Sequence, residues 1–393
     1  MRDSYKDIKV CVYAISAGEP KEFIDRWLAS MNGADYICVL VTRINDQNFE
    51  YFSKKKKEYP QLIVEQKDIT PWRFDVARNE SMKLIPSDSD VIISTDIDEI
   101  LIPEFWEDLR KIVFEHPDFE RIFYKFAWSH DDNGNPKCVF WYDKITQPKG
   151  WSWEFPVHET LRCSNAYHYS GRYNMDENKI YLRHFADDSK SRKSYLDLLK
   201  IRAEENPNDL IGLFYLAREY SFVNDYRNAL DTAFVLQTKI FEIGTTDNLL
   251  LPCTLIMLGD YSSKIVGLDD DAEYWYRKAI KLNPSIRDSY IKLAHLLAKQ
   301  PRPMEVYKTL DEMYSTSKFI EDFRLQPYYW EEWTIDQIVA CARCHEGRLE
   351  DATKIMQHAI DQLNTNDKLV DAYREGLFED ASWIEKVVNY QNR

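Results

Sequence analysis

One change of period divides this chain. From Ile8 to about His184, short apolar runs alternate with helical stretches; after about Ser189 strand patterns fade and helical ones dominate. Lys9 to Ile15, Tyr36 to Val41, Leu62 to Val64 and Val91 to Ser94 read as buried strands. Pro20 to Met31, Asn79 to Leu84 and Pro103 to Phe114 read as helices between and after them. Arg121 to Trp128 and Lys137 to Tyr142 flank Asn133-Gly134, a hairpin-tip dipeptide. Strands alternating with helices predict an α/β domain over residues 1–188, with a Rossmann-like, mostly parallel sheet covered on both faces.

Residues 189–393 carry a repeat. Leu216-Ala217 precedes Tyr220, Ala229 and Ala233; Leu258-Gly259 precedes Ala272, Tyr276, Ala279 and Pro284. Leu293-Ala294 precedes Leu297, Val306 and Leu310, and Ala340 precedes Ala352, Met356 and Ala359. Small residues recur where paired helices cross, and larger apolar ones fill the space between units. The spacing resembles tetratricopeptide repeats, so an all-α domain of about four stacked units is expected.

Charge narrows the partners. Lys and Arg number 51 against 66 Asp and Glu, a formal net charge of −15. Such a chain is repelled by phosphate backbones and anionic lipid, so nucleic acid is an unfavourable partner. The basic run Lys54-Lys55-Lys56-Lys57 reads as a solvated face. No apolar run reaches membrane-span length, the first residues lack a signal-peptide core, and the 7 cysteines are scattered. A cytoplasmic setting is expected. Cys341-Ala342-Arg343-Cys344-His345 matches a haem-attachment spacing but falls on the first helix of the last repeat, where small residues belong.

The densest chemical signal is Val91-Ile92-Ile93-Ser94-Thr95-Asp96-Ile97-Asp98-Glu99. A buried strand ends in three carboxylates. Like charges this close repel, and desolvating them is expensive unless a cation sits among them. Hard oxygen donors at the carboxyl end of a strand suit Mg²⁺ or Mn²⁺.

Three segments in order resemble family 2, GT-A-fold glycosyltransferases: Val12 to Glu19, Trp72 to Asn79 with its aromatic–Asp–x–Ala–Arg–Asn pattern, and Thr95 to Glu99. Together with the repeat tail, the chain resembles bacterial and phage glycosyltransferases, including the type that glycosylates bacteriocin peptides. The resemblance implies a nucleotide-sugar site built from Ile15, Ser16, Glu19, Thr42, Asp75, Arg78, Asn79, Asp96 and Ile97. Asp96 would meet the ribose or base, while Asp98 and His184 would hold the metal. Arg78 can equally be a structural ion-pair partner of Asp75 or Asp96. Where such enzymes often carry an acidic residue that reads the base, the chain runs Val41-Thr42-Arg43-Ile44-Asn45-Asp46.

Gly150 to Glu159 sets aromatics beside carboxylates. Trp151 and Trp153 suit an acceptor-stacking wall; Glu159, then Glu154, suits a general base, with His158 orienting it or binding donor. The same stretch also reads as a packed aromatic loop. The expected activity is inverting transfer from a nucleotide sugar, with UDP as first candidate, to a protein, peptide or glycan acceptor. The repeats would hold that acceptor or a second subunit. The alternatives are a non-catalytic repeat scaffold with a degenerate transferase domain, and a phage-type transferase acting on modified DNA bases.

Overall fold

The computed structural model describes residues 2–44, 46–130, 134–164, 169, 171–186, 193–320, 322, 324–325 and 332–364. The chain divides into two compact units, Met1–Glu205 and Asn206–Arg393.

The first unit is built on a mixed sheet. Its strands are β1 (Val10–Ser16), β2 (Tyr36–Val41), β3 (Leu62–Gln66), β4 (Val91–Ser94), β5 (Glu99–Leu101), β6 (Arg121–His130), β7 (Pro136–Thr146), β10 (Arg172–Asn174) and β11 (Ile180–His184). They run in the order β3-β2-β1-β4-β7-β6-β11-β5, with β10 beside β6. Most of its pairings are parallel, as expected, yet the sheet is mixed. Five pairings are parallel, but β7 enters antiparallel between β4 and β6, and β5 runs antiparallel to β11. The short β5 escapes sequence reading because its first residue is one of the loop carboxylates. Since β7 opposes both β4 and β6, those two strands run the same way. The carboxyl ends of β1, β2, β4, β6 and β11 therefore share one edge.

Alternation along the strands sorts side chains to two faces. Val10, Val12 and Ala14 of β1 join Val91 and Ile93 of β4 under α1 (Lys21–Ser30), α2 (Gln47–Lys55) and α4 (Phe105–Glu115), which supply Trp27, Phe52 and Phe105. Cys11, Tyr13 and Ile92 face the other way, against Trp151, Trp153 and Leu161 of an antiparallel ribbon, β8 (Trp151–Glu154) and β9 (Thr160–Cys163). Helix α3 (Phe74–Met82) lies on that side, contributing Met82. It begins five residues before the Asn79 start expected from sequence, because its buried face is Asp75, Ala77, Arg78 and Ser81 rather than an apolar stripe. The Asn133 half of the expected hairpin tip lies outside the described residues, but β6 and β7 do pair.

Helix α5 (Tyr195–Glu205), which follows the change of period, belongs to the first unit. Its Arg202 is buried and donates from Nη1 to the carbonyls of Val157 (2.9 Å) and His158 (2.7 Å).

The second unit is a run of helical hairpins among the described residues: α6 (Leu210–Phe222) with α7 (Tyr226–Ile243), α8 (Leu250–Ser263) with α9 (Asp269–Leu282), α10 (Arg287–Ala298) with α11 (Pro303–Tyr314), and α12 (Glu332–His345) with α13 (Leu349–Asn364). The repeat positions fill its core: Leu216, Ala217, Ala229, Ala233, Leu258, Ala272, Tyr276, Ala279, Leu293, Ala294, Val306, Leu310, Ala340, Ala352 and Met356 are all buried. The side chain of Ala359 lies outside the described residues. No described helix is long and apolar enough to cross a membrane.

Gly259 shows why small residues recur. A Cβ there would sit 2.4 Å from Cε1 of Tyr276, whose hydroxyl is tied to Asp260 Oδ1 at 2.7 Å. Gly259→Ala would ordinarily gain about 1 kcal/mol of helix propensity. Here overpacking, at about 1–3 kcal/mol, is expected to dominate. A lowered melting temperature by circular dichroism is the expected result; a raised one would show that Tyr276 yields.

Candidate active site

The loop of residues 95–98 joins β4 to β5 at the shared carboxyl edge. Trp27 Nε1 anchors its start by donating to Thr95 Oγ1 at 3.0 Å. Its turn is closed from within: the Asp96 amide donates to Glu99 Oε2 at 2.8 Å.

Asp96 and Asp98 serve different partners. Asp96 Oδ1 accepts from Arg78 Nη2 at 2.8 Å, and its Oδ2 lies 3.5 Å from Lys144 Nζ. Arg78 is 5% exposed and sits mid-helix in α3. Its Nε donates to Glu159 Oε1, its Nη1 to Ser94 Oγ at 3.2 Å, and its guanidinium lies 5.0 Å from the Trp153 ring centroid. One buried cation thus joins β4, the carboxylate loop, and the segment that follows β8. Burial opposes its charge, but Asp96 and Glu159 outweigh that and raise its pKa well above the ordinary value.

Lys144 of β7 was not singled out from sequence. It is 7% exposed, within 3.9 Å of Glu99 Oε1 as well as 3.5 Å of Asp96. Burial again opposes its charge; Asp96 and Glu99 outweigh it and raise its pKa. A lysine between Asp143 and Ile145 on a strand was the available signal, but strand lysines are usually solvated and nothing local marks this one as inward. Arg78 and Lys144 thus bring positive charge of the chain's own to the Asp96–Glu99 side of the acidic loop. Glu99 itself is 3% exposed, and burial pushes its carboxyl up to about 7, with Lys144 reversing only part of the rise.

Asp98 turns to β11. Its Oδ2 lies 3.5 Å from Nε2 of His184, and its backbone oxygen accepts from Phe185 N at 2.8 Å. His184 Nδ1 lies 3.1 Å from the Trp128 carbonyl. A carbonyl can only accept, so Nδ1 carries a proton; Nε2 faces the Asp98 carboxylate, which favours a second ring proton there, and loss of that proton would leave the Nδ1–H tautomer. That tautomer is the one a metal ligand needs. Burial favours the neutral ring, but Asp98 outweighs it and raises the His184 pKa. Among the described residues no three His, Cys, Asp or Glu side chains converge as a preformed cage. A cation here would take Asp98 and His184 and complete its shell from a ligand and water.

The remaining candidates are placed as follows. Ser16 Oγ donates to Glu19 Oε2 at 2.5 Å and the Ala17 amide to the same oxygen at 2.9 Å, so Glu19 locks the loop after β1. Thr42 ties that loop to β2, its amide and hydroxyl donating to the Ser16 carbonyl at 2.9 and 3.1 Å. Ile15 is half-buried and Ile97 buried. Asp75 is taken by Arg73 (3.1 and 2.9 Å), which also reaches Glu205. Asn79 forms a two-way bond with the Trp153 backbone, 2.8 Å in each direction. Its amide serves as a strand partner that tethers β8.

The acceptor wall needs correction. Trp151 and Trp153 are 8% and 4% exposed, packed under the sheet, with Trp153 Nε1 donating to Tyr13 Oη at 3.0 Å. Period-2 alternation turns them inward and turns Glu154 outward, where it pairs with Arg162 at 3.0 Å. Of the three catalytic candidates, only Glu159 reaches the Arg78 cluster. Phe155 and His158 hold positive φ (79° and 49°), a costly conformation for such residues. Arg202 secures that turn by bonding the Val157 and His158 carbonyls and stacking 3.8 Å from the Phe155 ring centroid.

No family model matches the chain, and no curated protein matches it. Among solved structures, S. aureus TarS 1-349 is 14% identical, covering 80% of this chain and 93% of that one with a TM-score of 0.35. MamA is 16% identical over 45% of this chain and 85% of that one, TM-score 0.32. TTC0263, a thermophilic TPR protein of Thermus thermophilus, is 18% identical over 47% and 90%, TM-score 0.34. Likenesses this loose identify neither a fold family nor an activity.

Two outcomes are expected. Arg78→Met leaves two carboxylates without their shared cation and should cost about 3–5 kcal/mol in denaturant unfolding; a loss under about 1 kcal/mol would mean the cluster is solvated. The folded pKa of Glu99 lies above its unfolded value, so its contribution is present at low pH and is lost as pH rises from about 4.5 to about 7. In chelator, Glu99→Gln should therefore gain stability relative to the parent chain across that window and hold a constant difference above it. Parallel stability curves from about pH 4.5 to about 8 would contradict this.

Proposed function

We propose that this chain is a metal-dependent, inverting glycosyltransferase of GT-A, family 2 type, transferring a sugar from a nucleotide donor, UDP-linked in the first instance, to a protein, peptide or glycan acceptor. The observation that carries the reading is the bridge by which Arg78 joins Asp96 to Glu159. It sets a donor-side carboxylate and a candidate base at two ends of one rigid guanidinium, at the carboxyl edge of the sheet where ligands of open α/β sheets bind. The sequence resemblance and the strand order β3-β2-β1-β4 support the same assignment.

In this mechanism the ribose or base lies along the Ser16–Thr42 loops and Asp96. Asp98 and His184 would hold Mn²⁺ or Mg²⁺, which stabilises negative charge on a departing diphosphate without proton transfer. Glu159 takes the acceptor hydroxyl proton as that oxygen bonds to the sugar's anomeric carbon and the bond to the β-phosphate oxygen breaks. Arg78 fixes the orientation of Glu159 throughout.

A non-catalytic scaffold is the second reading. It is favoured by the pairing of Asp96 and Glu99 with the chain's own Arg78 and Lys144, which gives the loop carboxylates a structural role. Melting the protein with UDP and Mn²⁺ separates the two readings. Ligand at about 100 times its Kd should add about 2.7 kcal/mol of stability. A screen of nucleotide sugars should reveal Mn²⁺-dependent nucleotide release that Asp98→Ala reduces to background while remaining folded. Unaltered release in Asp98→Ala, or no stabilisation by any donor, would sink the enzyme reading.

A further inference from the structure

With Trp151 and Trp153 in the core, the site lacks the aromatic surface that was expected to meet a sugar. An exposed tryptophan, Trp128, stands at the same edge. Single exposed apolar residues are common on protein surfaces, so exposure alone decides nothing. Position does. Trp128 is 51% exposed at the carboxyl end of β6, whose partner β11 runs parallel and ends at His184. The Trp128 carbonyl is the atom that faces His184 Nδ1 at 3.1 Å, so its backbone is one residue from the Asp98–His184 pair. Phe126, two residues earlier on β6, packs in the core with its ring 6.3 Å from the His184 ring. Between Ala127 and Ser129 the β6–β7 register shifts, a bulge at Trp128 itself. Bulges re-aim single side chains and recur beside functional sites.

We propose that the Trp128 indole is the donor-sugar platform: its face receives the apolar C–H face of a hexopyranosyl group attached to the diphosphate. The geometry follows from adjacency. A cation held by Asp98 and His184 would lie on the diphosphate, and the sugar is the group bonded to its outer phosphate. The residue that holds His184 is therefore within a sugar's length of the transferred ring. This inference rests on the donor-site reading given under Proposed function. Trp141 supplies the comparison. It is 38% exposed, but it pairs across the strands with Lys125, one residue out of phase with the Phe126–Phe140 core pair, and its ring lies 5.8 Å from Lys125 Nζ.

The test is calorimetry on the full chain with Mn²⁺, measuring UDP alone against UDP-glucose and UDP-N-acetylglucosamine for the parent, Trp128→Ala, Trp128→Phe and Trp141→Ala proteins. The parent should bind at least one nucleotide sugar more tightly than UDP. Trp128→Ala should keep its UDP affinity and lose about fivefold for that sugar, the scale of one aromatic contact. Trp128→Phe should restore most of the loss, and Trp141→Ala should match the parent. If the parent binds neither UDP nor any sugar nucleotide, the donor-site reading fails and this inference with it. If the parent binds them and Trp128→Ala keeps the full preference for sugar over UDP, the platform alone is wrong. A loss of UDP affinity equal to the loss of sugar affinity would also overturn it, since that would mark Trp128 as support for His184.

Discussion

A guanidinium buried among three elements is the constraint from which the first unit's chemistry follows. Withdrawing Arg78 from water is costly, and only its bonds to Asp96, Glu159 and Ser94, with the Trp153 face beneath it, offset that cost. Its partners come from two distant stretches of chain, Ser94 with Asp96 and Trp153 with Glu159, so the ion cluster and the tertiary fold stand or fall together. Asn79, the next residue, fastens the Trp153 backbone, and Arg202 fastens the turn that delivers Glu159. The candidate base is thus positioned by two arginines and an amide, none of which needs to react.

The loop after β4 has two electrostatic halves. Asp96 and Glu99 are balanced by Arg78 and Lys144, both buried cations. Asp98 faces a histidine whose tautomer is set by a main-chain carbonyl. The first half carries its own counter-charge within the fold. The second is where added positive charge would be welcome, because an imidazole beside a carboxylate can exchange its proton for a metal. The two aspartates, one residue apart in sequence, thus face different partners, as their separate expected roles require.

Sequence period located most of the scaffold. β2 and β4 fall where the apolar runs place them, and the buried repeat positions coincide with the small-residue pattern of the second unit. Elements with polar inner faces escaped it. Helix α3 hides Asp75 and Arg78 rather than leucines, β5 opens with Glu99, and Lys144 looks like any strand lysine. The reading of Trp151 and Trp153 failed for a related reason: composition marks an aromatic but not the face of the ribbon on which alternation will set it.

By itself the sequence determined the two periods, the acidic loop at the end of an apolar strand, and the set of residue types available for chemistry. These are local properties, carried by neighbours three or four positions apart on a helix and two apart on a strand. Only the tertiary structure decided that Arg78 spans Asp96 and Glu159, that Lys144 reaches Glu99, and that Asp98 meets His184. Even the nearest of those pairs, Arg78 with Asp96, is 18 positions apart. Charge acts through space rather than along the chain, so no local pattern encodes which cation finds which carboxylate.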